Sequence, residues 1–191
     1  MKFLYNPHEF FEGRKESMIP ALTILAIYGV IGAVIAYQTT TLLIPKLPVE
    51  VRQYMGVGVI VGTITAFIMP YITWIVLGAI FYGITALFDG KGSFKELLAM
   101  IGYGFVPLII SSAMTGYLSI EAISSIQTIT LQDFGKQLGY ASIVSIIFTI
   151  WSANIFIFAV AHAREVKIRH AAISVLIPVG LWIAYTALRV T

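Results

Sequence analysis

Read along the chain, polar and apolar positions separate into long blocks rather than the short alternations of a soluble domain. Charge-free runs cover 17–45, 53–88, 97–120, 137–163 and 170–188. Each is long enough to cross hydrocarbon, which takes roughly 20 apolar residues at 1.5 Å apiece. Backbone groups in lipid must pair within their own segment, and the runs far exceed the roughly ten-residue alternating strands of a membrane barrel. The pattern therefore predicts an all-α integral membrane protein, a bundle of five transmembrane helices spanning about 19–43, 54–88, 97–118, 137–162 and 170–188.

The run 53–88 needs a decision, because its 36 charge-free positions exceed one span and barely accommodate two. Pro70 sits near its middle. A hairpin there would have to turn at Ile68-Met69-Pro70-Tyr71-Ile72, which offers no charge and no Gly or Asn. One long, tilted, proline-kinked helix fits better. Basic residues give an independent test, since cytoplasmic loops are enriched in Lys and Arg. With five spans and a cytoplasmic N-terminus, Lys2, Arg14, Lys15, Lys91, Lys95, Arg164, Lys167 and Arg169 lie inside, against Lys46, Arg52, Lys136 and Arg189 outside. Six spans reverse that bias. The aromatics agree: Tyr37, Tyr54, Tyr117, Tyr140, Trp182 and Tyr185 gather toward the outer interface and Tyr82 toward the inner one. Trp151, mid-span, is expected to pack against a neighbour.

The leader, with Glu9, Glu12 and Glu16, is too acidic for a secretory signal, and the apolar run behind it is too long, so the first span is expected to be retained. Residues 1–18 are expected to form a short cytoplasmic or interfacial helix ahead of a membrane domain over 19–191. Asn6 caps it, Pro7 is its first residue and Glu9 follows three after the cap, with the helix running to about Ser17. Phe10 and Phe11 beside its charged residues suit the headgroup layer, and docking on the bundle suits them equally. Between spans three and four, 119–136 mixes Glu121, Gln127, Gln132 and Asp133 with Ile and Leu. An amphipathic piece at the outer surface is expected there.

Composition confirms the solvent: 59% of residues are hydrophobic, 11% are charged and the mean hydropathy is +0.91, where soluble domains carry about a quarter charged residues. With no cysteine there is no disulfide, thiolate site or cysteine nucleophile. The net charge of +3 is dispersed and gives no reason to expect nucleic acid.

Candidate chemistry is sparse. Sites that move protons or ions generally place an ionisable group inside a span, and no Asp, Glu, Lys or Arg lies deep in one here. His162 falls at the inner end of span four, near Glu165 and Arg169 by spacing, where a solvated role is favoured over a proton or metal site. Ser152 and Asn154 are the most polar pair within a span and are expected to bond between helices. Gly58-x-x-x-Gly62 is a small-residue pair for which packing within the chain is favoured over self-association, leaving a homo-oligomer as the lesser expectation. Asp89-Gly90-Lys91-Gly92-Ser93 lacks Walker spacing and reads as a tight cytoplasmic turn. No nucleophile, base and orienter set is visible, so no enzyme, cofactor or metal is expected; His162, Glu165, Asp89 and Glu96 are the only interfacial candidates for one. A scaffold is favoured, with membrane lipids around it and a protein or anionic lipid meeting a cytoplasmic face of Phe10, Phe11, Arg14, Lys91, Lys95, Arg164 and Arg169. The alternative is a small-solute channel or transporter along a seam near Ser152, Asn154 and His162, lined by helices kinked at Pro70, Pro107 and Pro178.

The stretch from Phe81-Tyr82-Gly83 through Phe88-Asp89-Gly90-Lys91-Gly92-Ser93-Phe94-Lys95-Glu96-Leu97-Leu98 to Gly102-Tyr103-Gly104 and Val106-Pro107 resembles the core signature of the Yip1 domain family, which has five spans. Asn6-Pro7 followed by Phe10-Phe11 agrees, as does Trp151 with His170-Ala171-Ala172 opening the last span. The resemblance makes Gly90, Gly92, Gly102, Tyr103 and Pro107 scaffold residues, with close helix contact at the glycines and a loosened span at Pro107. For eukaryotic members it implies vesicle trafficking, with contacts to prenylated small GTPases and to other family members. Those members carry a longer hydrophilic N-terminal region with an Asp-Leu-Tyr-Gly-Pro type motif, absent here. The resemblance is to a compact prokaryotic, archaeal form in a cell membrane.

Overall fold

A computed structural model of the chain describes residues 2–13, 17–125 and 131–188, the side chains of 131–140 excepted. Among these residues the regular elements are all helical: α1 (Pro7–Phe11), α2 (Met18–Leu43), α3 (Val49–Arg52), α4 (Met55–Ala86), α5 (Phe94–Ile101), α6 (Val106–Ser125), α7 (Leu131–Ala163) and α8 (Ile168–Leu188), with short 3₁₀ turns at Lys2–Leu4, Ile44–Lys46 and Gly102–Phe105. Five segments are long and apolar enough to cross a membrane: Met18–Lys46, Met55–Ala86, Phe94–Ser125, Ala141–Ala163 and Ile168–Leu188. The 53–88 run is one continuous helix through Pro70, as its missing turn chemistry predicts.

The bundle is organised around span three. Its first half, α5, buries five consecutive residues, Leu97 to Ile101, and the Gly102–Phe105 turn after it is buried too. Five consecutive buried positions go round more than one helical turn of 3.6 residues, so this end of the helix has neighbours on every side, and α5 packs on α2, α4 and α7. Around this post α4 lies on α2, α2 on α6, α6 on α7 and α7 on α8, and α8 returns to α4. Trp74 of α4 donates its indole N–H to the Leu98 carbonyl at 2.9 Å, inside the core.

Span three changes helix type where Pro107 sits. Proline supplies no N–H to the carbonyl four residues back and crowds it; the chain answers with the tighter 3₁₀ turn at Gly102–Phe105 before α6 resumes. Gly102 answers a close approach: a Cβ there would stand 2.3 Å from the Ala21 Cβ. The small pair Gly58 and Gly62 behaves otherwise. Neither faces another helix, since a Cβ at Gly62 would meet nothing within 4 Å and one at Gly58 only its own Met55 at 3.9 Å. The expected packing within the chain is not made there.

The N-terminal segment is docked, and its helix is shorter than its opening signals suggest. Asn6 caps α1 by accepting from the Glu9 N–H at 3.4 Å, with Pro7 first in the helix. The helix stops at Phe11, because Glu12 turns extended and Gly13 takes φ +65. At the other end of the bundle α6 runs on to Ser125, so the first part of the expected 119–136 surface piece is the end of a span. Residues 126–130 lie outside the described residues, as do the side chains of Gln132, Asp133 and Lys136.

Candidate functional site

Two turns meet at one end of the bundle, the 87–93 turn joining α4 to α5 and the 164–167 turn joining α7 to α8, and α1 lies against the nearby end of α7. The two turns are built alike. After α4, the Asp89 N–H bonds the Ala86 carbonyl at 3.3 Å and the Gly90 N–H reaches back to Thr85 at 3.1 Å. After α7, the Glu165 N–H bonds His162 at 3.4 Å and Val166 reaches back to Ala161 at 3.1 Å. Each is the Schellman closure of a helix C-terminus, whose left-handed residue is usually glycine. Here it is an acid both times, Asp89 at φ 59 and Glu165 at φ 52.

The turns are then joined to each other. The Lys91 N–H donates to the Arg164 carbonyl at 3.0 Å. In the other direction, Arg164 Nη2 donates to the Gly90 carbonyl at 2.6 Å and Nε to the Thr85 hydroxyl at 3.1 Å. The guanidinium lies 3.9 Å over the Tyr82 ring. Gly92 permits the approach, because a Cβ there would fall 1.6 Å from the Ala163 carbonyl oxygen; a Cβ at Gly90 would be 2.9 Å from the Thr85 carbonyl. Phe88 stacks on His170 with ring centroids 4.4 Å apart, tying α8 to the same turn. Ser93 caps α5 by accepting from the Glu96 N–H at 3.1 Å. The Ser93-Phe94-Lys95-Glu96 spacing is a capping-box pattern that could have located this helix start in the sequence.

This geometry corrects Arg164. Expected as an exposed binding cation, it is 2% exposed and serves as the pin between the turns. Its Nη1 is buried with no hydrogen-bond partner among the described residues. An unneutralised guanidinium is tolerated because two oxygens and an aromatic face replace much of its hydration. Lys91, Lys95 and Arg169 are exposed as expected, with Lys167 beside them and the acids Asp89 and Glu165 among them. Arg14 lies outside the described residues.

Phe11 is likewise corrected: it is fully buried, and Phe10 is half-buried. Their socket is Tyr103, whose ring is 5.2 Å from Phe3, 5.2 Å from Phe10 and 5.9 Å from Phe11. Aromatic rings at such spacings attract beyond their area burial, so the two phenylalanines hold the N-terminal segment down. That segment runs beside α7. His8 lies 5.5 Å from the Phe158 ring and 5.2 Å from His162, and the Trp151 indole donates to the Leu4 carbonyl at 3.0 Å. Trp151 therefore packs against the N-terminal segment as its neighbour. Lys2 pairs with Glu9 at the exposed edge.

The polar seam does not assemble. Ser152 is buried and its Oγ has no partner among the described residues, while Asn154 is exposed on the outside of α7 and makes no hydrogen bond among them. The interhelical bonds expected of this pair are absent because the two side chains, two positions apart on a helix, face different ways. A half-open cavity of about 190 Å³ lies elsewhere, between α2, α4 and α6, lined by Tyr28, Met69, Pro70, Phe105 and Ser112 among others. Among the described residues no group of His, Asp and Glu is arranged to hold a metal.

Comparison with known proteins places this geometry. The uncharacterized protein MJ0794 of the archaeon Methanocaldococcus jannaschii is 31% identical over 115 residues, covering 59% of this chain and 82% of that protein. No solved structure matches the chain. The Yip1 domain model matches residues 1–188, a span that takes in the docked N-terminus, the paired turns and every transmembrane helix, and the chain is a multi-pass membrane protein of the Yip1 domain family.

Proposed function

We propose that the chain is a non-enzymatic membrane scaffold that binds a protein partner through the face carrying the two paired turns. The observation that supports this most is the contrast between what lies under that face and what stands on it. Beneath are a buried arginine and a glycine pressed against a carbonyl, which hold the backbone of the two turns in one arrangement. Above, Lys91, Lys95, Lys167 and Arg169 alternate with Asp89 and Glu165 at exposed positions. An anionic bilayer rewards cations alone. A mixed-sign pattern on a rigid base suits a protein of complementary pattern, which gains specificity from both signs. On this reading the face is cytoplasmic, as the count of basic residues predicts.

The test is photo-crosslinking in native membranes from probes placed at Lys95 and Arg169. A discrete protein adduct that disappears when Lys91 and Lys95 are reversed to Glu supports the reading. Adducts to lipid alone, or a protein adduct indifferent to charge reversal, would count decisively against it. The channel reading has less support, since Ser152 is buried while Asn154, two positions on, is exposed on a different side of α7. Solute flux in reconstituted vesicles that vanished in Asn154→Leu would restore it.

A further inference from the structure

We propose that the outward face of α7 is the seam of a parallel homodimer in which Asn154 meets its own copy across a two-fold axis. From 141 to 163, the exposed positions of α7 are Ile143, Ile147, Ile150 and Asn154 and no others. The three isoleucines are 55%, 60% and 57% exposed. Their spacing of four, three and four is the heptad repeat of a helix that supercoils with a partner, the left-handed crossing common among transmembrane helices. The remaining sides of α7 are occupied by α5, α6, α8 and the N-terminal segment. That segment covers Trp151, Phe158 and His162 and leaves Asn154 open beside it.

The amide makes this stripe more than a lipid-facing surface. Many hydroxyls on the spans bond back one turn, as Thr23 does to Ile19, Thr149 to Ser145 and Thr186 to Trp182, although Thr63 and Ser152 do not. Asn154 has two donors and an acceptor and makes no such bond among the described residues. It lies nine positions before Ala163, roughly 13 Å along the helix, farther than its short side chain reaches. In hydrocarbon an amide without partners is strongly disfavoured.

A second copy of this chain is the occupant that relieves the penalty without further requirements. Copies inserted in one orientation are related by an axis along the membrane normal, so α7 faces α7 in parallel and Asn154 arrives at its own depth. An amide both donates and accepts, so the pair closes on itself. A single asparagine at such a seam position also sets register and oligomer state. An unrelated partner would need a separately placed polar group at that depth.

The chain contains no cysteine, so single cysteines report directly. Ile147→Cys and Ile150→Cys are compared in proteoliposomes, under copper phenanthroline oxidation, with Ile64→Cys on α4 and Ile177→Cys on α8, which are similarly exposed. Covalent dimers are expected at the two α7 positions at several times the yield of the controls. In a dilution series followed by energy transfer between labelled copies, Asn154→Leu is expected to weaken association about threefold to thirtyfold, the range that one interhelical hydrogen bond supplies. Equal yields at all four positions, dimers only at the controls, or unchanged association in Asn154→Leu would each overturn the proposal. Asn154 is exposed in the protomer, so elution of the variant as a folded monomer separates lost pairing from lost fold.

Discussion

Replacing Gly92 by alanine tests the pairing of the two turns most directly. The added methyl would sit 1.6 Å from the Ala163 carbonyl oxygen, and ordinary contact begins at 3.4 Å, so the turns must separate by the difference of roughly 1.8 Å. The obstacle is a backbone atom at the end of α7, which has no rotamer to change. Separation on that scale carries Lys91 N–H to Arg164 O (3.0 Å) and Arg164 Nη2 to Gly90 O (2.6 Å) out of hydrogen-bonding range. A neutral bond contributes about 0.5–1.5 kcal/mol and one from a charged donor about 1.5–3. Their sum of about 2–4.5 kcal/mol corresponds, at about 2–4 °C per kcal/mol for a chain of this size, to an apparent melting temperature lower by about 4–18 °C. Thermal unfolding in detergent, followed by size-exclusion fluorescence, reads this directly. Gly62→Ala is the internal reference, because nothing approaches that site and alanine is favoured over glycine in a helix by about 1 kcal/mol. A Gly92→Ala protein melting within about 1 °C of the parent would refute the turn pairing described here.

Other perturbations have equally definite outcomes. Glu165→Gly removes a side chain from the left-handed region and should raise stability by about 1 kcal/mol, measured in the same melting assay. Arg164→Lys keeps the charge but loses the planar contact with Tyr82 and the forked donation, and should lower stability by about 1–2 kcal/mol. Ser93→Ala deletes the cap of α5 at a cost of about 1 kcal/mol, and restoring the cap with Ser93→Asp should recover most of it. Trp151→Phe keeps the ring but loses the bond to Leu4, which should speed hydrogen exchange at the Asn6 and Phe10 amides about fivefold while leaving the α4 and α5 amides unchanged.

Span number and helix type were legible in the sequence because lipid imposes them: any charge-free run long enough to cross must be helical. The continuity of the 53–88 run as one helix, Met55–Ala86, followed from what its midpoint lacks. Residue roles at the helix ends were less legible, and Arg164 shows why. A basic residue just past a span reads as loop, and only three-dimensional placement reveals that Thr85, Gly90 and Tyr82, some 80 positions earlier, surround it. Phe10 and Phe11 misled for a related reason, since aromatics beside charges suit a headgroup layer as well as a protein socket, and Tyr103 is far away in the chain. Gly58 and Gly62 erred in the opposite sense. Small residues permit close packing without compelling it, and the neighbouring helices pack elsewhere. Ser93 was readable and went unread, its cap spacing hidden behind the glycine-rich turn.

The paired turns also bear on the order of assembly. The chain enters the membrane from its N-terminal end, so α4, α5 and the turn between them exist before α7 does. Until then the Gly90 carbonyl has no guanidinium, the Lys91 amide no carbonyl, and the Tyr82 face no cation. The first three spans therefore form a hairpin assembly with an open latch, and Arg164, emerging just as span four is completed, is the part that shuts it. A chain cut short before that residue keeps its hydrophobic helices yet leaves the Gly90 carbonyl and the Lys91 amide without these partners.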